Sequence, residues 1–95
     1  GALLDTALQL EPHNAMIQDS KGWLEFRLGR LPAARALLET AFAALPDAEI
    51  AAHLGEVLWQ LGEQDAACKV WRLGLGSDPD NTALQATLKR LKVKL

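Results

Sequence analysis

The sequence repeats itself with a period of 33 to 34 residues, and this period constrains the fold more than any other feature. Such periods are typical of chains that stack one small unit of secondary structure many times. Shifting the sequence by 34 residues aligns Pro12 with Pro46. Shifting it by 33 aligns Gly22 with Gly55, Leu28 with Leu61, Gly29 with Gly62, the pair 33–34 with 66–67, and the pair 46–47 with 79–80.

The residues that recur are those that end helices or bring them close together. Proline stops a helix because it lacks a backbone N–H and clashes with the preceding turn, and Pro46 and Pro79 follow helical patterns. Glycine suits the left-handed residue after a helix end, which predicts that role for Gly29 and Gly62. Glycine inside a helix costs about 1 kcal/mol against alanine. Gly22 and Gly55 therefore indicate sites where a neighbouring helix approaches closely.

Capping residues and breakers divide the chain into about six predicted helices, and no stretch alternates as a strand would. Asparagine and aspartate cap helix N-termini, and proline is favoured in the first turn. The first predicted helix covers residues 2–10, the second runs from Asn14 to about Leu28, and the third begins at Pro32. The fourth runs from Asp47 through Leu61, the fifth begins at residues 63–65, and the sixth begins at the cap Asn81.

With small residues at 22, 34, 41, 55, 67 and 74, and bulky Leu38 and Trp71 between them, the pattern resembles the tetratricopeptide repeat. That unit is a 34-residue helix-turn-helix. The resemblance implies an all-α fold, a right-handed superhelix of antiparallel hairpins. It divides the chain into the second helix of a preceding repeat (1–12), two full repeats (13–46 and 47–80) and a C-terminal capping helix (81–95). Trp71 takes the bulky core position of its repeat.

The runs 19–30 and 46–59 are also similar to the last repeats of proteobacterial outer-membrane tetratricopeptide lipoproteins. Some of those proteins are adaptors for a processing protease. This narrower resemblance implies a fragment of a longer adaptor at the periplasmic face of the outer membrane. Without it, a cytoplasmic location is expected.

The family resemblance implies that the first helix of each hairpin lines a concave groove that binds another protein or a peptide. The groove positions transfer to Met16, Asp19, Ser20, Trp23, Phe26, Arg27, Glu49, His53, Glu56, Trp59, Gln60 and Arg90. Aromatic side chains among acids predict an amphipathic, partly basic partner, because Asp19, Glu49 and Glu56 would attract lysine or arginine. Trp23 and Trp59 can each line the groove or pack in the core, and the sequence leaves both possibilities open.

Two further kinds of site in the groove are disfavoured. The family's clamp for a C-terminal carboxylate needs lysine and asparagine at positions that hold Asp19, Ser20 and Trp23 here. His53 and Glu56 lie one turn apart, but two ligands do not make a metal site, and a polar or solvated histidine is the simpler expectation.

Composition excludes several other functions. The net charge is −2 over 95 residues and the chain has a single cysteine, Cys68, so nucleic-acid binding and an internal disulfide are not expected. No direct membrane insertion, cofactor, metal motif or catalytic set is predicted. The main alternative to a binding module is self-association, in which Leu3, Leu4 and Leu8 would form a partly uncovered apolar patch and join copies into a homo-oligomer. In a variant of this alternative, the segment only packs against the rest of its parent protein.

Overall fold

A computed structural model of the chain describes residues 14–95, which form five α-helices and no strand. The helix predicted over residues 2–10 lies outside the described residues, and the predicted all-α class is confirmed. The helices are α1 (Ala15–Arg27), α2 (Leu31–Ala44), α3 (Ala48–Gln60), α4 (Gln64–Ser77) and α5 (Thr82–Arg90).

Side-chain caps start α1, α3 and α5, as predicted. The side chains of Asn14, Asp47 and Asn81 accept hydrogen bonds from the backbone N–H three residues later, at 3.1, 2.8 and 3.0 Å respectively. Such a bond satisfies one of the unpaired N–H groups at a helix start. We call α1, α3 and α5 the first helices, and α2 and α4 the second helices.

The three first helices end in the same kind of turn. Gly29 and Gly62 have φ of 80° and 84°, as predicted, and Lys92 after α5 has φ of 58°. In each case the next N–H donates to the carbonyl five residues earlier: Arg30 to Glu25, Glu63 to Leu58, and Val93 to Leu88, all at 2.9 Å. This Schellman arrangement satisfies the last carbonyls of the helix. After α1 and α3 it reverses the chain into the second helix.

Each hairpin is packed tightly because a glycine of its first helix faces a large side chain of its second. A Cβ added at Gly22 would lie 2.8 Å from Leu38 Cγ, and one added at Gly55 would lie 2.1 Å from Trp71 Nε1. The predicted close approach is confirmed at both sites. Trp71 is fully buried, as its repeat position implied. The core around it comprises Ala34, Leu38, Ala48, Ala52, Leu54, Val57, Leu58, Ala67, Leu84 and Leu88.

The helices are arranged so that the first helices form a continuous inner row. α1 contacts α3, and α3 contacts α5, whereas among the described helices the backbones of α2 and α4 do not come near each other. Second helices that are farther apart than first helices curve the array around the first helices. The first-helix side is therefore concave, as the repeat fold implies. On the outer side, Arg35 of α2 reaches Glu63 at the start of α4, with one Nη–Oε contact of 3.3 Å.

Helix α5 differs from α1 and α3 at the position that admits a second helix. Gly22 and Gly55 stand eight residues after their caps, and the same step from Asn81 leads to Lys89, which is exposed. α5 is also shorter, with nine residues against 13. A lysine at the contact position leaves no room for a helix to approach as α2 and α4 do. This favours the predicted capping role of 81–95, and the division into repeats stays a prediction.

Glu25 is a buried acid that the sequence did not point to. Its side chain is 7% exposed and pairs with Lys21 at 3.2 Å and with Arg30 at 3.3 Å. The hydrogen bond from Lys21 holds the pKa of Glu25 below its ordinary value, with Arg30 assisting and burial acting in the opposite direction. The carboxylate thereby joins α1 to the turn that leads into α2.

We expect this pairing to make the hairpin sensitive to acid. Because the pKa is lower in the folded chain, the contribution of Glu25 to stability is complete above the unfolded-state pKa of about 4.3. It is lost as the pH falls through the lower folded-state pKa. The difference in urea midpoint between the parent chain and Glu25→Gln should hold from neutral pH to about pH 5 and shrink below about pH 4. Glu49→Gln is the control, because Glu49 is exposed. A difference that persists at the lowest pH would contradict this assignment.

Candidate interaction groove on the first helices

The twelve predicted groove residues fall into three classes of exposure. Asp19 and Glu56 are buried. Trp23, Phe26, His53 and Trp59 are half-buried, and Met16, Ser20, Arg27, Glu49, Gln60 and Arg90 are exposed. In the described part of the chain the concave face contains no closed pocket.

Asp19 and His53 join α1 to α3 beneath an aromatic stack. Asp19 Oδ1 lies 2.7 Å from His53 Nδ1, a contact in which the imidazole donates in its Nδ1–H tautomer or as imidazolium. The His53 ring stacks on Trp23 at 4.2 Å between centroids, and Trp23 stacks on Phe26 at 4.8 Å, both at 21°. The carboxylate thus fixes the imidazole, and the imidazole helps to fix the indole.

Glu56 and Arg90 join α3 to α5 in a similar way. The Glu56 side chain is 6% exposed and accepts a hydrogen bond from Arg90 Nη2, whereas the Arg90 side chain is 56% exposed. The carboxylate lies underneath and the guanidinium lies towards solvent. Removing Arg90 would leave a buried charge without compensation, so this pair helps to hold α5 in place.

These pairs change the predicted charge of the groove. Asp19 and Glu56 were expected to offer carboxylates to a basic partner, but both are buried and already paired within the chain. Their charges are partly or fully balanced before any partner arrives. Of the three predicted acids only Glu49 is exposed, and the case for a basic partner rests on Glu49 alone.

Phe26 and Trp59 are predicted groove residues that also pack against the core. Both are partly buried and pack against the core cluster. The Trp59 ring lies 5.6 Å from the ring of Trp71, tilted by 40°. Among residues 14–95, Trp23 does not pack against this core cluster and stacks on Phe26 and His53 instead. Trp23 is therefore the better candidate for partner contact.

His53 and Glu56, which lie one turn apart in the sequence, do not face a common metal site. His53 turns to Asp19 on α1 and Glu56 turns to Arg90 on α5. His53 is a polar, partly exposed side chain, and the Asp19 carboxylate and the Trp23 indole cover much of its ring. Over residues 14–95, no three histidine, cysteine, aspartate or glutamate side chains lie close enough to hold a metal ion. Within the same range, no helix combines the length and apolar character needed to cross a bilayer.

Comparison with known families decides the wider assignment. A family model described as tetratricopeptide repeat matches residues 20–82, which is more than half of the chain. The chain belongs to the tetratricopeptide repeat family. Tetratricopeptide repeats generally mediate protein–protein interaction and are a non-catalytic module.

One curated relative carries the same kind of repeat. The chain is 45% identical over 54 residues to a Pseudomonas aeruginosa protein named TPR repeat-containing protein PA4667. The match covers 57% of this chain and 9% of the relative. The chain therefore spans about a tenth of that relative's length, and the likeness concerns a short stretch of tetratricopeptide repeats.

Tetratricopeptide geometry also explains both inter-helix pairs. Asp19 to His53 and Glu56 to Arg90 are each 34 residues apart, which is one repeat. Side chains one repeat apart on the first helices lie side by side. An acid and a base at this separation on groove positions was the signal that could have predicted the pairs from the sequence.

Proposed function

We propose that this tetratricopeptide array is a non-catalytic adaptor or scaffold segment that holds a peptide or helix of another protein on its concave face. The observation that carries the proposal is the combination of a fixed floor and an exposed surface on α1, α3 and α5. The floor is the Asp19–His53 and Glu56–Arg90 pairs, and the exposed surface includes Met16.

A fixed floor favours binding because less side-chain freedom is lost when a partner arrives. Trp23 is held between helices by His53 and Asp19, and aromatic anchors of limited mobility are typical of interface hot spots. Met16 is 50% exposed at the start of α1, and a flexible thioether adapts to partners of different shape. The partner is therefore amphipathic, with an apolar side chain that reaches Trp23.

The partner's charge follows from the exposed groups. Glu49, the second residue of α3, is exposed and provides a place for one lysine or arginine of the partner. The expected partly basic character is thus limited to this corner of the groove.

Site-specific photo-crosslinking tests the proposal in the cell that produces the protein. A photoreactive residue is placed at Ser20 or at Gln60, both exposed on first helices, in the full-length protein. The controls are Thr40 on α2 and Arg72 on α4, both exposed on second helices. We expect Ser20 and Gln60 to crosslink to the same partner protein and the control positions to give little of that product. Equal yields from all four positions would overturn the proposal.

Self-association stays the alternative, and the same experiment addresses it. Its predicted patch, Leu3, Leu4 and Leu8, lies outside the described residues. Crosslinks between copies of the chain, together with a sedimentation coefficient that rises with concentration, would favour it over an adaptor role. The predicted periplasmic location is tested by fractionation of the same cells.

A further inference from the structure

The last residues of the three first helices form an edge of the groove with a distinct chemistry. α1 ends at Arg27, α3 at Gln60 and α5 at Arg90, and all three residues are exposed. The Asp19–His53 and Glu56–Arg90 contacts join residues at nearly equal depth from their helix starts, so the first helices run parallel and in step. Their C-terminal ends therefore lie on the same side of the groove. Because α5 has nine residues against 13 in α1 and α3, Arg90 lies about one helical turn, or about 6 Å, short of the level of Arg27 and Gln60. We call Arg27, Gln60 and Arg90 the C-terminal edge.

Both cations of this edge have side-chain donors available for a partner. Among residues 14–95, Arg27 has no ion-pair or hydrogen-bond partner for its side chain. Arg90 pairs with Glu56 through Nη2, yet more than half of its side chain is exposed. A guanidinium has five N–H donors and favours carboxylates in two-bond geometry. Both arginines thus retain donors directed to solvent, while the Glu56 carboxylate lies beneath.

The opposite edge of the groove has the reverse character. Glu49, the exposed acid of the groove, is at the start of α3, and Gln60 is at its end. The two edges of the groove therefore carry opposite charge, with an acid near the helix starts and cations at the helix ends. A partner that matches it carries its acidic side chains along the C-terminal edge.

We propose that the C-terminal edge binds two side-chain carboxylates of the partner segment, one at Arg27 and one at Arg90. This inference rests on the proposed groove function and adds the partner's chemistry and direction. Neighbouring helices pack about 8–10 Å apart, so α1 and α5 are separated by roughly 16–20 Å. An extended segment rises about 3.3 Å per residue, which places the two acids about five or six residues apart.

An acidic protein segment fits this edge better than a nucleic acid. Two spaced arginines suffice for two carboxylates, whereas nucleic-acid binding rests on many phosphate contacts.

The arginines have a simpler role as well, because cations stabilise the C-terminal ends of helices. That role affects stability and leaves the affinity for peptides unchanged. A test must therefore measure binding, and it must use a charge change that leaves the buried Glu56 paired. Arg27→Glu meets this condition.

The test uses the full chain and labelled synthetic peptides with blocked termini, so that no terminal carboxylate contributes. The first peptide is extended and apolar, with two glutamates about six residues apart; the second has lysines in their place; the third has the two glutamates adjacent. At low salt we expect the spaced-glutamate peptide to bind about tenfold more tightly than the lysine peptide. It should also bind more tightly than the adjacent-glutamate peptide, and the preference should weaken as salt is added.

Two variants with the same change in charge test whether the preference for glutamate arises at the C-terminal edge. Arg27→Glu should abolish the preference for glutamate, whereas Lys69→Glu, at an exposed base of the outer helix α4, should preserve it.

Equal affinity for the three peptides, or no measurable binding of any of them, would overturn the inference. The proposed groove function is judged separately by the crosslinks from Ser20 and Gln60. If the crosslinked partner peptide, sequenced by mass spectrometry, lacks acidic residues, the groove function stands and the C-terminal edge proposal fails.

Discussion

Replacing Trp71 with alanine is expected to lower the free energy of unfolding by about 3–5 kcal/mol. Trp71 is fully buried, and its ring contacts Gly55 on one side and lies 5.6 Å from the Trp59 ring. Removal of the indole leaves a cavity between α3 and α4 that small neighbours such as Ala52 and Ala67 cannot fill. Each kcal/mol shifts the melting temperature of a small domain by roughly 4–8 °C, so the transition should fall by about 12 °C or more.

Thermal and urea unfolding followed by circular dichroism measure this effect. Arg72→Ala is the matched control, because Arg72 is the next residue of α4 and is exposed. Substitutions at such exposed sites usually change stability by no more than about 0.5 kcal/mol. A loss at Trp71 of less than about 1 kcal/mol would mean that the indole does not hold the hairpin together.

The importance of Trp71 was predictable because it follows from a repeat position and a helical period. Much of the remaining fold was predictable for the same reason. Caps such as Asn14, breakers such as Pro46 and left-handed glycines such as Gly29 act through the nearest few residues, so their effect is visible in the sequence. The structure confirms helix starts at all three predicted caps and reversals at both predicted glycines.

The groove was less predictable, because its properties depend on contacts between helices. The helical register placed Asp19 and Glu56 on the concave side, and the 34-residue spacing to a base could have indicated their partners, but neither pattern could show that both carboxylates are buried. Burial and pairing of a carboxylate depend on how two helices are rotated against each other, which no local pattern encodes. The same reason explains Phe26, whose position is compatible with groove and core, and which packs against both Trp23 and the core.

The glycine facing Trp71 leads to the second large effect. Gly55→Ala adds a Cβ that would lie 2.1 Å from Trp71 Nε1 and 2.4 Å from Cε2. The ring is fully buried and cannot swing away, so the helices must separate. Overpacking of a core typically costs about 1–3 kcal/mol and occasionally more. This contact is shorter than ordinary overpacking, so we expect a net loss of about 3 kcal/mol after the gain of about 1 kcal/mol in helix propensity.

Gly76→Ala separates the clash from the propensity gain. Gly76 is in the last turn of α4, and a Cβ there would have no atom within 4 Å. Its substitution should stabilise the chain by up to about 1 kcal/mol. Gly22→Ala should have an intermediate effect, because its closest contact, 2.8 Å to Leu38 Cγ, is longer than the contact at Gly55.

The decisive measurement combines the two large substitutions in one chain. If Gly55 is small because it accommodates the indole, then Gly55→Ala should cost nothing once Trp71→Ala has removed the ring. The double variant should then be as stable as Trp71→Ala alone, or slightly more stable through helix propensity. The losses would fall short of additivity by about 3 kcal/mol, which is a coupling expected only for residues in direct contact. Additive losses in the free energy of unfolding would show that Gly55 is needed for some reason other than the approach of α4. The packing of α3 against α4 would then have to be explained without the glycine–tryptophan contact.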